Sequence, residues 1–193
     1  MNKFYDLDSD INNSIETLKK GGVILCPTDT IWGISCDATN EVAVEKLFEI
    51  KQRSKEISLI ILVDTSSKIQ QYVKEVPEIA WELIEVSDKP LTIIFSDAKN
   101  LALNVIAKDG SIGIRVCNDE FCNRLIYKYR KPIVSTSANF SGEKTPLNFN
   151  EISEELFKKV DYVVNYKQNE FYKSQPSSII KLRANGEFKI LRK

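Results

Sequence analysis

Eight residues, Ser135-Thr136-Ser137-Ala138-Asn139-Phe140-Ser141-Gly142, carry four hydroxyls, a carboxamide and a glycine directly after the apolar piece Pro132-Ile133-Val134. Hydroxyls and amides at a strand end hold polar ligands, phosphate oxygens above all, at little steric cost. Ordinary loops have the same composition, so the stretch gains weight from two further polar clusters, Lys51-Gln52-Arg53 and Pro27-Thr28-Asp29-Thr30. Lys51 and Arg53 stand where a helical pattern runs out. Cations there favour the helix C-terminus; they can equally form an anion clamp, a planar fork beside a mobile point charge. Arg115 interrupts the strand-like Ile112-Gly113-Ile114-Arg115-Val116 out of phase with Ile114 and Val116. It therefore faces either solvent on the outer side of a sheet or a site. No P-loop and no GxGxxG occurs among the 7 glycines, so side chains would have to make most contacts to any bound nucleotide.

The chain has 0 histidines in its 193 residues, which excludes Ser-His or Cys-His nucleophile pairs and His-ligated metal sites. Its chemistry must run on Lys, Arg, carboxylates, hydroxyls and backbone. That favours reactions driven by positioning and charge neutralisation. Lys plus Arg and Asp plus Glu both number 27, for a net charge of zero, which argues against a surface that grips nucleic acid throughout. Cys26, Cys36, Cys117 and Cys122 form no CxxC pair and are expected as free, buried thiols. No apolar run approaches the roughly 20 residues of a membrane span. Met1 to Asp8 lacks a hydrophobic signal core, so a cytoplasmic location is expected.

These residues need a scaffold, and the hydrophobic pattern supplies one. Ser9 or Asp10 is expected to cap a first helix stopped by Gly21-Gly22, and Thr39 or Asn40 a second over 41–51. Helical patterns recur around Ile69-Tyr72-Val73 and after Pro77. Asn118 is expected to cap another helix, and Asn150 a short one to Lys159. Strands are expected at 23–26, 59–63, 91–95, 111–116, 133–134, 162–164, 178–182 and 188–191. The stretch 165–176 reads as a polar loop. These strands, with five or six helices, describe an α/β domain, and the strands clustered near the end make the sheet mixed.

Taken in order, the clusters resemble a known family. Pro27-Thr28-Asp29-Thr30-Ile31-Trp32-Gly33-Ile34-Ser35-Cys36-Asp37-Ala38 is similar to PT(D/E)TVYGLGCDA, Lys51-Gln52-Arg53 to KxR, and Pro90-Leu91-Thr92 to GPLT. Gly113-Ile114-Arg115-Val116 is similar to V(A/G)xRxP, Ser135 to Gly142 to STSANxSG, and Pro176-Ser177-Ser178-Ile179 to PSTI. Order and spacing match from about residue 10 to the C-terminus. The family is that of the threonylcarbamoyl-AMP synthases (YrdC-like).

The resemblance implies a single YrdC-like domain over 1–193, a twisted mixed sheet flanked by helices around a large central cavity. It implies synthesis of L-threonylcarbamoyladenylate and pyrophosphate from L-threonine, bicarbonate or CO2, and ATP, with Mg²⁺ on the phosphates. The product would pass to a threonylcarbamoyltransferase complex that modifies tRNA next to the anticodon; tRNA itself is a further candidate partner. Lys51, Arg53, Ser137 and Asn139 match a nucleotide-contacting catalytic tetrad. Thr145 and Arg192 match further ATP contacts, and Thr30, Arg115, Ser135 and Ser177 match threonine-side positions. No residue matches a metal ligand. The chain departs from the family pattern at Ser58, at Leu62, at Cys117 (usually proline) and at Ser178 (usually threonine). The alternatives are a carbamoyl-phosphate-dependent adenylating domain, which belongs to much longer chains, and a non-catalytic double-stranded RNA or tRNA-binding module.

Overall fold

A computed structural model describes residues 6–52, 59–170, 176–183 and 186–193. Among them nine strands form one sheet in the order β7-β1-β2-β6-β3-β5-β4-β8-β9. The strands are β1 (Ile24–Cys26), β2 (Gly33–Asp37), β3 (Ile60–Val63), β4 (Leu91–Phe95), β5 (Ile112–Val116), β6 (Ile133–Ser137), β7 (Tyr162–Val163), β8 (Ser178–Leu182) and β9 (Phe188–Arg192). The sheet is mixed. β1/β7, β3/β5 and β4/β8 pair parallel, and the other neighbours pair antiparallel.

Helices α1 (Leu7–Lys19), α2 (Glu41–Lys51), α3 (Glu78–Glu85), α4 (Glu120–Tyr129) and α5 (Glu154–Phe157) flank it. α1 packs on α4 and on β1, β2 and β7, while α2 covers β2 and α4 covers β3. The core includes Ile11, Leu18, Val44, Leu47, Phe121 and Leu125 from the helices and Ile34, Ile61 and Val134 from the strands, all buried. Burying an aliphatic or aromatic side chain stabilises by about 1.5–3 kcal/mol, so these residues help to order the sheet.

Several boundaries differ from the sequence expectation, each for a local reason. The first helix begins three or four residues earlier, because Asp6 rather than Ser9 or Asp10 caps it, accepting from the Asp8 amide at 3.1 Å. Asp10 is instead buried, and its carboxylate accepts from the Tyr162 hydroxyl and the Asn165 and Tyr166 amides. Asp119, not Asn118, caps α4. The pattern around Ile69 is a 3₁₀ segment over Ser66–Gln71, and the helix expected after Asn150 is a 3₁₀ turn followed by α5, capped by Ser153. β2 was not expected as a strand; its Gly, Ser, Cys and Asp hide the pattern, since all five residues are buried. β6 runs past Val134 to Ser137, so the first hydroxyls of the Ser-Thr-Ser stretch stand on the sheet. The polar loop expected over 165–176 lies partly outside the described residues, at 171–175. The four cysteines are free and buried, as expected.

Candidate active site

Strand side chains alternate faces, and cross-strand partners share one. Following the register, Gly33 (β2) pairs with Ser137 (β6), and Ser135 (β6) with Ile60 (β3). Ile60 pairs with Gly113 (β5), and Arg115 pairs with Thr92 (β4). Thr92 pairs with Ile179 (β8), and Ile179 with Arg192 (β9). All lie on the face away from Ile34, Ile61 and Ile93. That face is the floor of a cavity of about 270 Å³. Arg115 is thus not on an outer face; it is buried in a wall of the cavity.

Two glycines keep the floor low. A Cβ on Gly33 would stand 2.8 Å from Ser135 Oγ and 3.1 Å from the Thr136 carbonyl oxygen. One on Gly113 would stand 2.9 Å from Ile60 Cγ2. Real Cβ atoms do not come so close, and any larger residue would push into the space above Ser135 or Ile60.

The loop from β1 to β2 forms one wall. The Thr30 amide donates to Thr28 Oγ1 at 3.1 Å, and that hydroxyl donates to the Ile31 carbonyl at 2.7 Å. The two threonine hydroxyls lie 3.0 Å apart. Between them in sequence, Asp29 turns away and pairs with Arg115, Nη2 to Oδ1 at 3.2 Å. On the opposite wall, Arg192 Nε–H donates to the Ser177 carbonyl at 2.9 Å and Nη2 to Ser177 Oγ at 3.3 Å. The Ser177 hydroxyl in turn lies 2.8 Å from Thr92 Oγ1. Partial burial, and next the charge of Arg115, lower the pKa of Arg192. Two guanidiniums within electrostatic reach of one another, ringed by hydroxyls, make a site for anionic oxygens.

Lys51 occupies a different position from these. It is 2% exposed at the end of α2 and does not line the cavity. Its ammonium donates to the Ser137 carbonyl at 2.6 Å, to the Asn139 carbonyl, and to Asn139 Oδ1 at 3.2 Å. The Ser141 amide returns a bond to the Lys51 carbonyl at 3.0 Å, and Asn139 Nδ2–H donates to the Glu143 carbonyl at 2.7 Å. Lys51 and Asn139 together hold the turn that follows β6.

Of the residues singled out in the sequence, Thr30, Arg115, Ser135, Ser137, Thr145, Ser177 and Arg192 line the cavity. Lys51 and Asn139 stand behind it, and Arg53 lies outside the described residues. The sequence reading assigned nothing to Asp29 or Thr92, the partners of Arg115 and Ser177. Both lie inside the motifs quoted above, and only the fold shows what they face.

Residues 16–193 match the family described as Telomere recombination, whose name joins Sua5, YciO and YrdC. A threonylcarbamoyl-AMP synthase of Pseudoalteromonas translucida is 34% identical over 81% of this chain and 86% of its own. A Methanocaldococcus jannaschii protein named as a candidate threonylcarbamoyl-AMP synthase is 37% identical over 93% of this chain and 86% of its own. Among solved structures, P. abyssi Sua5 in complex with L-threonine superimposes with a TM-score of 0.82 at 25% identity, covering 89% of this chain. This chain spans only 50% of that one. E. coli YciO matches with a TM-score of 0.83 at 24% identity, over 97% of this chain and 90% of its own, a likeness of fold. The chain is a member of the Sua5/YciO/YrdC family.

Proposed function

We propose that this protein joins L-threonine, bicarbonate or CO2, and ATP into L-threonylcarbamoyl-AMP, releasing pyrophosphate. One observation carries the reading: Arg115 and Arg192 face a single cavity with Thr30, Ser135, Ser137 and Ser177, in a chain similar to named synthases. In this reading the neutral threonine amine captures CO2, and the proton it loses goes to solvent. A carbamate oxygen then attacks the α-phosphorus, and the bond from that phosphorus to the bridging oxygen breaks as pyrophosphate departs. Such transfers depend on alignment and on cations facing the developing charge.

Arg115, with Thr30, Ser135 and Ser177, takes the threonine side. Ser137, Thr145 and Arg192 take the nucleotide side, with Arg53 assigned there by its motif. Lys51 and Asn139 set the turn from behind and bring a positive charge to it. The described residues hold no cluster of three or more His, Cys, Asp or Glu side chains suited to a metal ion. We assign Mg²⁺ to the triphosphate of the substrate, where it would offset the charge of the phosphate oxygens. We read residues 1–193 as one YrdC-like domain and the enzyme class as nucleotidyltransferase. We place the protein in the cytoplasm and its product with a threonylcarbamoyltransferase complex acting on tRNA. No helix among the described residues is long and apolar enough to cross a membrane.

The test is pyrophosphate release from ATP and bicarbonate, with and without L-threonine. Release that depends on threonine supports the synthase. ATP binding without threonine-dependent release overturns it, and salt-sensitive RNA binding would then favour the RNA-binding alternative.

A further inference from the structure

We propose that Asp29 is a positioning residue: it fixes the Arg115 guanidinium so that the remaining face of that group is presented to the carboxylate of the amino-acid substrate. The inference rests on the synthase reading for the identity of that substrate. Its structural basis stands on its own.

Both partners are buried, the Arg115 side chain 4% and the Asp29 side chain 8% exposed, and they meet at 3.2 Å through Nη2. Arg115 Nε is buried and has no hydrogen-bond partner. Arg115 also lines the cavity, so the part of its guanidinium that Asp29 leaves uncovered is within reach of a ligand there. Asp29 is over-determined as an anchor. Its Oδ1 also accepts from the Cys117 thiol at 3.3 Å and its Oδ2 from the Asn118 amide at 3.4 Å. Cys117 and Asn118 directly follow β5, and the Cys117 amide bonds the Val63 carbonyl at the end of β3. The carboxylate is therefore tied to the strand that carries Arg115, while its backbone belongs to the β1–β2 loop that carries Thr28 and Thr30. One side chain registers the threonine-bearing loop against the arginine-bearing strand.

A counter-ion role and a positioning role predict opposite signs. Were Asp29 only balancing charge, its removal would raise the positive potential and tighten an anionic ligand. If it positions Arg115, removal lets the guanidinium turn, and the ligand binds more weakly.

The experiment compares wild type with Asp29→Asn, Asp29→Glu, Arg115→Ala and the Asp29→Asn/Arg115→Ala pair, with thermal unfolding of each as the folding control. The expected result for Asp29→Asn is a KM for L-threonine raised on the order of tenfold, the loss of about one hydrogen bond to a charged group, with the KM for ATP unchanged. Asp29→Glu should recover most of the loss. In the Arg115→Ala background Asp29→Asn should add nothing. Tighter or unchanged threonine binding in Asp29→Asn, or full additivity in the pair, overturns the proposal. A second readout needs no substrate. The ¹⁵N–H resonance of Arg115 Nε should show slow guanidinium rotation in wild type and lose it in Asp29→Asn. If wild type fails to turn over threonine but this resonance changes as stated, the functional reading falls and the positioning role stands. If the resonance is the same in both proteins, the positioning role falls whatever the ligand.

Discussion

Lys51 and Arg115 are both buried cations, yet their environments assign them different work. Arg115 faces the cavity, so its loss should register in catalysis. A hydrogen bond to a charged group is worth about 1.5–3 kcal/mol, so Arg115→Ala should lower kcat/KM for L-threonine by roughly 10- to 100-fold, measured by pyrophosphate release. Lys51 donates to two carbonyls and an amide oxygen, so Lys51→Ala leaves buried acceptors unsatisfied. It should cost about 1–3 kcal/mol of stability as well as activity, and a calorimetric Tm lowered by several degrees would show it. Asp37 makes a third case. Burial pushes its carboxyl up, but bonds from Lys131, Tyr129 and Thr39 more than reverse that and hold its pKa below the ordinary value. The unfolded chain therefore takes up this proton first as pH falls. The stabilisation is complete above the usual aspartate value of about 3.9 and is lost as pH falls from there through the lower value of the folded state. Denaturant midpoints measured from pH 6 to 3 should fall in wild type and fall less steeply in Asp37→Asn.

Elements show where sequence reasoning worked and where it could not. α2 was legible throughout, because Asn40, Ala43, Val44, Leu47 and Phe48 combine a cap with a buried face. Asn40 Oδ1 accepts from the Val42 amide at 3.0 Å and the Ala43 amide at 3.2 Å. Asn40→Ala should cost about 1 kcal/mol, read from the urea midpoint at constant m. β3, β4, β5 and β8 were legible from their apolar runs. β2 was not: a strand buried on both faces and carrying Gly, Ser and Asp lacks alternation, and its assignment needs the neighbours that bury it. The facing of Arg115 was likewise undecidable in one dimension, since period two says which residues share a face but not which face holds the cavity. The glycines tell the same story, because Gly33 and Gly113 are needed only against Ser135 and Ile60 across the sheet. Gly113→Ala should destabilise by about 1–3 kcal/mol through overpacking and raise KM for whichever ligand lies over Ile60.

At the scale of the whole molecule, the cavity draws on β2, β3, β4, β5, β6, β8 and β9, which are scattered from Gly33 to Arg192. The motif residues lie far apart in the chain, and the sheet order 2-6-3-5-4-8-9 brings them together. No fragment containing fewer than most of these strands holds the complete floor. The consequence is thermodynamic. Any ligand of this cavity binds only the globally closed sheet, so its binding free energy is added to the stability of every strand at once. At one hundred times its dissociation constant such a ligand adds about 2.7 kcal/mol. Amide hydrogen exchange should slow in β2 and in β8 by the same factor when L-threonine and a non-hydrolysable ATP analogue are present. Local slowing confined to the β1–β2 loop would mean that the ligand orders a wall and leaves the sheet's opening untouched. The assembled floor thus makes ligand occupancy a measure of cooperativity, and a protease that cleaves only the opened chain would read out the filling of the cavity.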